Sequence, residues 1–322
     1  MNFAVIGVGS FGLKRAQSIK DSIKGKLKTI IDPNKENVAK AESILKIKSS
    51  TLDDVLKDKD TDVICICTPN KFHKELIIKS LKSGKNVFCE KPLATNLQEA
   101  EEILEISKKY PNKLQIGSNH RYFESVKFAK KLVDENEIGE ILSFSGRIGH
   151  NGERIKNTWF WKKEMSGGGT LIDNGCHLLD ISRLFLGDFE KGSGVISNVY
   201  WKDKNMDVED TAFGNFKTKD DKVASIFCSW RLQSGYFFFE LNGSNGYINV
   251  DGRFDTHGGD KVYWRDRDKK LQSKDFSTLK PNSYGDEINT FIENIENKRY
   301  LSPSAQDGFE VMKMVNFIYS SH

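Results

Sequence analysis

Four residues have the types and spacing for acid–base chemistry on a small substrate: Lys91, Asp173, His177 and Asp180. If residues 170–185 are helical, Asp173 and His177 stand at i and i+4 on one face, and Asp180 follows three positions along the same stripe. A carboxylate one turn from an imidazole fixes its tautomer and raises its basicity. Dehydrogenation of an alcohol needs a base for the hydroxyl proton while hydride leaves carbon. A nearby ammonium stabilises the developing alkoxide. His177 can serve as the base and Lys91 as the ammonium. Two blander readings stand beside this one. An Asp/His pair on a helix is commonly a surface hydrogen bond, and a lysine after a strand is commonly solvated. An Asp–His–Asp stripe also suits a metal, but that needs a fourth ligand. Spacing brings none of His73, His120 or His150 to it, so no metal is expected.

The elements that must position these residues begin with a strand, Phe3-Ala4-Val5-Ile6, followed by Gly7-Val8-Gly9-Ser10-Phe11-Gly12. A G-x-G-x-x-G between a strand and a helix is a dinucleotide site. Gly7 permits the tight turn, Gly9 lets backbone approach a pyrophosphate, and Gly12 lets the helix pack close to the strand. The helix start at Ser10 and Phe11 then offers N–H groups to the phosphates. Asp32, twenty residues after Gly12, ends the next strand and suits an adenosine ribose 2′-OH. A carboxylate there repels a 2′-phosphate, although Lys35 nearby could pair with one. NAD is expected in preference to NADP. Thr68-Pro69-Asn70 with His73, and Glu90-Lys91-Pro92, follow the third and fourth strands at the carboxyl edge where such sheets bind ligands.

Strands are expected over residues 2–8, 27–32, 63–68, 86–90 and 114–118, alternating with helices such as 96–109, where Asn96 and Glu99 resemble a capping box. Beyond Ser118 the period changes. A helical stripe (Val126, Ala129, Leu132, Val133) precedes a strand-rich stretch to about Arg265, in which Ala224, Ile226, Cys228 and Trp230 alternate, as do Phe237, Phe239 and Leu241. Asn242-Gly243, Asn245-Gly246 and Asp251-Gly252 read as turns. Two amphipathic helices close the chain. The division expected is 1–119 and 120–322.

The 322 residues suit two domains, and 49 Lys+Arg against 45 Asp+Glu leave a net charge of +4 with no basic block, which argues against nucleic acid. No apolar run of membrane-spanning length and no leader pattern is present, so a cytoplasmic protein is expected. Five cysteines, with Cys65 and Cys67 on one strand face, read as small buried hydrophobes with no disulfide framework.

The glycine motif, Glu90-Lys91-Pro92 and the run Gly168-Gly169-Thr170-Leu171-Ile172-Asp173-Asn174-Gly175-Cys176-His177-Leu178-Leu179-Asp180 together resemble the Gfo/Idh/MocA oxidoreductases. The resemblance covers essentially the whole chain. It implies an α/β fold: an N-terminal Rossmann domain, then a C-terminal α/β domain with a large open antiparallel sheet. It implies that Lys91 touches substrate and nicotinamide, and that His177 is the acid/base with Asp173 as partner or substrate ligand. Thr68, Pro69, Asn70, His73 and Glu90 become cofactor-side positions. The segment Asn119–Tyr122 matches the family's polar stretch with an arginine, here Arg121, but Glu124-Ser125 replace the proline that often follows. Between the first strand of the second sheet and the triple glycine lie Arg154, Asn157 and Trp161, which suit a sugar or else a loop anchored by its tryptophans. The expected activity is hydride transfer between nicotinamide and a secondary alcohol of a sugar, nucleotide-sugar or cyclitol. The alternatives are redox-neutral glycoside cleavage and a non-catalytic NAD sensor. A homodimer or homotetramer paired through the open sheet is implied.

Overall fold

Apolar strands alternating with amphipathic helices build a parallel sheet from the first 118 residues of the computed structural model, which describes residues 1–201, 205–253, 258–280 and 282–321. The elements run β1 (Asn2–Ile6), α1 (Ser10–Lys20), β2 (Lys26–Ile31), α2 (Lys35–Leu45), α3 (Leu52–Lys57), β3 (Val63–Ile66), α4 (His73–Lys82), β4 (Asn86–Cys89), α5 (Leu97–Lys108) and β5 (Leu114–Ile116). The sheet order is β2-β1-β3-β4-β5, with every pair parallel. The strands stop one to two residues earlier than expected, so Asp32, Thr68 and Glu90 stand in loops at the carboxyl edge. Asn96 caps α5 by accepting the Glu99 N–H, but the Glu99 carboxylate returns to Thr95 N–H and Oγ1 rather than to Asn96, so the capping box is displaced by one residue.

The second unit holds α6 (Glu124–Asp134), β6 (Ile141–Gly149), α7 (Lys163–Ser166), α8 (Cys176–Leu186), β7 (Phe189–Ser197), β8 (Thr211–Thr218), β9 (Val223–Ser229), β10 (Tyr236–Gly243), β11 (Gly246–Arg253), β12 (Gly258–Asp266) and β13 (Gln272–Asp275). Its eight-stranded sheet runs β13-β12-β11-β10-β6-β9-β8-β7 and is antiparallel except where β6 meets β9. Alternation sets the two faces. Ala224, Ile226 and Cys228 point inward, as do Phe237, Phe239 and Leu241, while Phe213 and Val223 point outward. Asp251-Gly252 lies inside β11 at a register shift, so its glycine marks a bulge and not a turn.

The chain then forms α9 (Ser283–Glu296) and α10 (Ala305–Tyr319). Residues 284–309 belong to the first unit, which differs from the expected division at 119. The physical reason is packing. Phe291 sets its ring edge-on to Phe3 and Phe88, at 6.3 and 5.5 Å between centroids, and Ile288, Ile292 and Leu301 complete the same buried cluster. The rest of α10 belongs to the second unit, where Ile318 lies against Gly194 and Gly214 of the sheet.

Candidate functional site

The strand order reverses between β1 and β3, and the loops beyond that point gather the nucleotide-type features in the first unit. Gly7 takes φ +85, and a Cβ there would stand 2.8 Å from the Cys67 carbonyl carbon. A Cβ at Gly12 would meet the Gly7 carbonyl oxygen at 1.8 Å, whereas one at Gly9 would meet nothing within 4 Å. Gly9 therefore faces open space, at the start of a helix that no side chain caps; Asn34, Thr51 and Asn96 cap α2, α3 and α5. An open backbone cradle beneath an uncapped helix start fits a pyrophosphate.

Asp32 braces this cradle. Its Oδ2 accepts the Val8 N–H at 2.8 Å and Asn37 Nδ2 at 3.3 Å, and its Oδ1 accepts the Asn34 N–H at 2.8 Å. A carboxylate has about four acceptor sites, so capacity for a ribose hydroxyl remains. Thr68 Oγ1 is shielded and has no hydrogen-bond partner among the described residues, which also suits a ligand at this edge.

His73 and Glu90 hold the loops from behind and do not face outward as cofactor contacts. The His73 ring is fully buried, with Nδ1 at 2.8 Å from the Pro92 carbonyl oxygen and Nε2 at 3.0 Å from that of Thr68. Burial pushes its pKa down. It ties the Thr68-Pro69-Asn70 loop to the Lys91-Pro92 loop, whose peptide bond is cis. Glu90 is taken by Arg15, whose Nε donates to Glu90 Oε1 at 2.7 Å, while its Nη2 donates to Glu287 Oε2 at 2.8 Å. Glu287 Oε1 in turn accepts the Ser118 N–H. The guanidinium lies 4.7 Å from the ring centroids of both Phe88 and Tyr284. Burial pushes Glu287 up to about 7, against the pull of Arg15, and burial lifts the Tyr284 hydroxyl to about 12. This buried cluster fixes α1, the Glu90-Lys91 loop and the end of β5 to α9. Sequence reasoning missed it, although Arg15 sits on the buried stripe Gly12, Ala16, Ile19, where an arginine needs a partner.

In the second unit, the segment carrying the expected acid/base set is not one regular helix. Residues Leu171–Gly175 form a π-helical turn that runs into α8. Glu209 builds this turn. Its carboxylate accepts the N–H groups of Gly169 and Leu171 at 2.9 Å each and the Tyr319 hydroxyl at 2.9 Å. The triple glycine follows from that proximity: a Cβ at Gly169 would stand 1.9 Å from the Glu209 carbonyl oxygen, and one at Gly168 would stand 2.0 Å from the Tyr319 oxygen. Burial raises the pKa of Glu209.

Asp173 Oδ2 accepts from Trp230 Nε1 at 3.2 Å, a partner no spacing pointed to. Asp180 forms a two-pronged pair with Arg121, Nε to Oδ2 at 2.7 Å and Nη2 to Oδ1 at 2.5 Å. Arg121 therefore reads as the clamp of α8 rather than as a group held out for substrate. His177 is 7% exposed, and its ring lies on that of His120, with centroids 3.7 Å apart and planes at 40°. Phe123 and Phe237 flank His120.

Trp161 does not face a ligand; it is buried with Ile155, Trp201, Met206, Val208 and Trp230 and anchors its loop in the core. Arg154 and Asn157 are exposed on that loop. Among the described residues no group of three His, Cys, Asp or Glu side chains is placed to hold a metal, and no helix is long and apolar enough to cross a membrane.

A parallel sheet with a glycine cradle at its reversal point, in a chain whose other unit is built on a large open sheet, defines a class: NAD-binding oxidoreductases of two-unit design. A family model described as an oxidoreductase family with an NAD-binding Rossmann fold matches residues 1–118, and the GFO/IDH/MocA C-terminal domain matches residues 126–249. The chain belongs to the Gfo/Idh/MocA oxidoreductase family. It is 30% identical over 261 residues to a 2,7-anhydro-N-acetylneuraminate hydratase of Escherichia coli strain K12, covering 78% of this chain and 68% of that one. It is 27% identical to a myo-inositol 2-dehydrogenase of Thermotoga maritima, covering 96% of this chain and 92% of that one. Its fold matches a solved levoglucosan dehydrogenase in complex with NADH and levoglucosan at a TM-score of 0.89, with 24% identity over 100% of this chain and 96% of the other.

Proposed function

We propose that this protein is an NAD-dependent enzyme that moves hydride between the nicotinamide and a secondary alcohol of a sugar, nucleotide-sugar or cyclitol. The carrying observation is His177: a buried imidazole whose neighbouring carboxylates are both tied down, Asp180 by Arg121 and Asp173 by Trp230. A protein that only sensed the cofactor would have no use for a base built this way. The glycine cradle and the first turn of α1 would hold the pyrophosphate, and Asp32 the ribose hydroxyls of NAD rather than the 2′-phosphate of NADP. Bound nicotinamide supplies the hydride acceptor. His177 takes the hydroxyl proton, and Lys91 faces the negative charge that develops on the substrate oxygen. Arg154 and Asn157 are the exposed polar groups offered to the rest of the sugar. The relative named as a hydratase favours a second reading, in which oxidation is transient and re-reduction closes the cycle with no net redox change. One experiment separates the two. Sugars, cyclitols and anhydro-sugars are incubated with the protein and NAD while absorbance at the NADH band and substrate NMR are followed together. Stoichiometric NADH supports the dehydrogenase, conversion without NADH supports the redox-neutral cycle, and neither across the panel overturns both.

A further inference from the structure

The two histidines of the second unit have a relation that the acid/base assignment does not use. His120, from the short 3₁₀ turn Asn119–Tyr122, lies face-near on His177, and both are nearly buried, at 5% and 7% exposed. His120 is flanked by Phe123 from the start of α6 and Phe237 from β10. The two carboxylates nearest His177 in the chain have partners of their own: Asp180 is paired with Arg121, and Asp173, on the π-turn preceding His177, accepts a hydrogen bond from Trp230 Nε1.

Two imidazolium rings at this separation repel strongly in such surroundings, whereas an imidazolium packed close against a neutral ring is stabilised as a cation beside a π-system. We propose that His120 is a positioning residue for His177: the close, tilted pair accepts one proton and resists the second, so His177 rests as a base and its imidazolium, once formed, is carried against the neutral ring of His120. The inference rests on His177 being the proton acceptor, but the pairing can be read without any substrate. The effect of His120 is read by replacing His120 alone.

The test is an NMR titration of the whole protein with ¹³Cε1-labelled histidine, using His177→Asn and His120→Phe to assign the two resonances. In the wild type both resonances should show the same two macroscopic steps, at least about one pH unit apart, which is a tenfold difference in proton affinity. In His120→Phe, His177 should titrate in one step. In His120→Arg, which replaces a titrating neighbour by a permanent charge, that step should move at least about one unit lower than in His120→Phe. A merely structural role for His120 would not set the His177 step in His120→Arg below that in His120→Phe. A single step for His177 at one midpoint in all three proteins, or no titration between pH 5 and 9 in any, overturns the proposal. If either variant fails to fold, the wild-type curve still decides it. Loss of the two-step curve sinks the pairing alone. An active His177→Ala protein sinks the catalytic assignment and leaves the pairing standing.

Discussion

Asp32 spends three hydrogen bonds on its own loop, through Val8, Asn34 and Asn37, before any ligand arrives. Its removal should therefore do two things. In Asp32→Ala the preference for NAD over NADP should narrow, because the repulsion of a 2′-phosphate is gone. NAD affinity should also fall by roughly tenfold, as expected for a lost hydrogen bond to a charged group. Binding titrations with both cofactors check this, and tighter NADP binding by the wild type would sink the premise. His177→Ala and Lys91→Ala should each lose roughly 10²–10⁴ in turnover, as removal of a general base or of charge stabilisation does, while keeping NAD affinity and melting temperature. A His177→Ala protein that fails to fold would return His177 to the status of a core histidine. At this scale the sequence revealed the residues with distinctive chemistry but not their neighbours. Asp173 and His177 were legible from spacing; Trp230 and His120 were not, because they come from the turn after β9 and from the 3₁₀ turn before α6. Trp161 offered aromatic surface that sugar and core use equally.

At the scale of elements, the buried cluster of Arg15, Glu90 and Glu287 sets a pH dependence. Burial raises the Glu287 pKa to about 7, above the ordinary value of 4.5, so the folded state holds a proton that the unfolded state has lost. A group raised in this way contributes stability that is fully present below about pH 4.5 and is lost as pH rises through 7. His73, whose pKa burial lowers, acts in the opposite sense and weakens the fold as pH falls below the ordinary imidazole range. The comparison that isolates Glu287 is with Glu287→Gln, a neutral group of the same shape. The variant should gain on the wild type in melting temperature between pH 5 and 8. A constant difference across that range would count against the assignment. Element types followed from periodicity and their ends from caps. The π-turn Leu171–Gly175 did not, since a 3.6-residue pattern and a wider turn share the same apolar residues over so short a run. Glu209 and Tyr319 make the turn, and they lie 38 and more residues away.

Among the described residues of the whole molecule, the second sheet carries large apolar side chains that stand exposed. On the outer side of the second sheet, Phe213 is 52% exposed and Val195 59% exposed, and Phe213 lies 4.5 Å from Phe227 between ring centroids. We propose that copies of the chain pair through this face. Sedimentation at micromolar concentration should show a dimer or tetramer, and Phe213→Lys should shift it towards monomer; a wild-type monomer would refute the pairing. Two-unit organisation was visible as a change of period near residue 119. The return of residues 284–309 to the first unit was not, because an amphipathic stripe shows that a helix needs a sheet and not which one.

That return bears on how the protein is made. The first unit needs Phe291 against Phe3 and Phe88 and needs Glu287 against Arg15, so its core and its ion cluster stay open until α9 has left the ribosome. The half encoded first is therefore completed only after most of the second half has been made. A fragment of residues 1–119 expressed alone should be insoluble or melt well below the full chain, and joining residues 284–309 to it through a flexible linker should restore cooperative melting. The nascent chain thus cannot close the core of its first unit before the sheet of the second unit has been synthesised, and vectorial synthesis ties the folding of the first unit to elongation through the second.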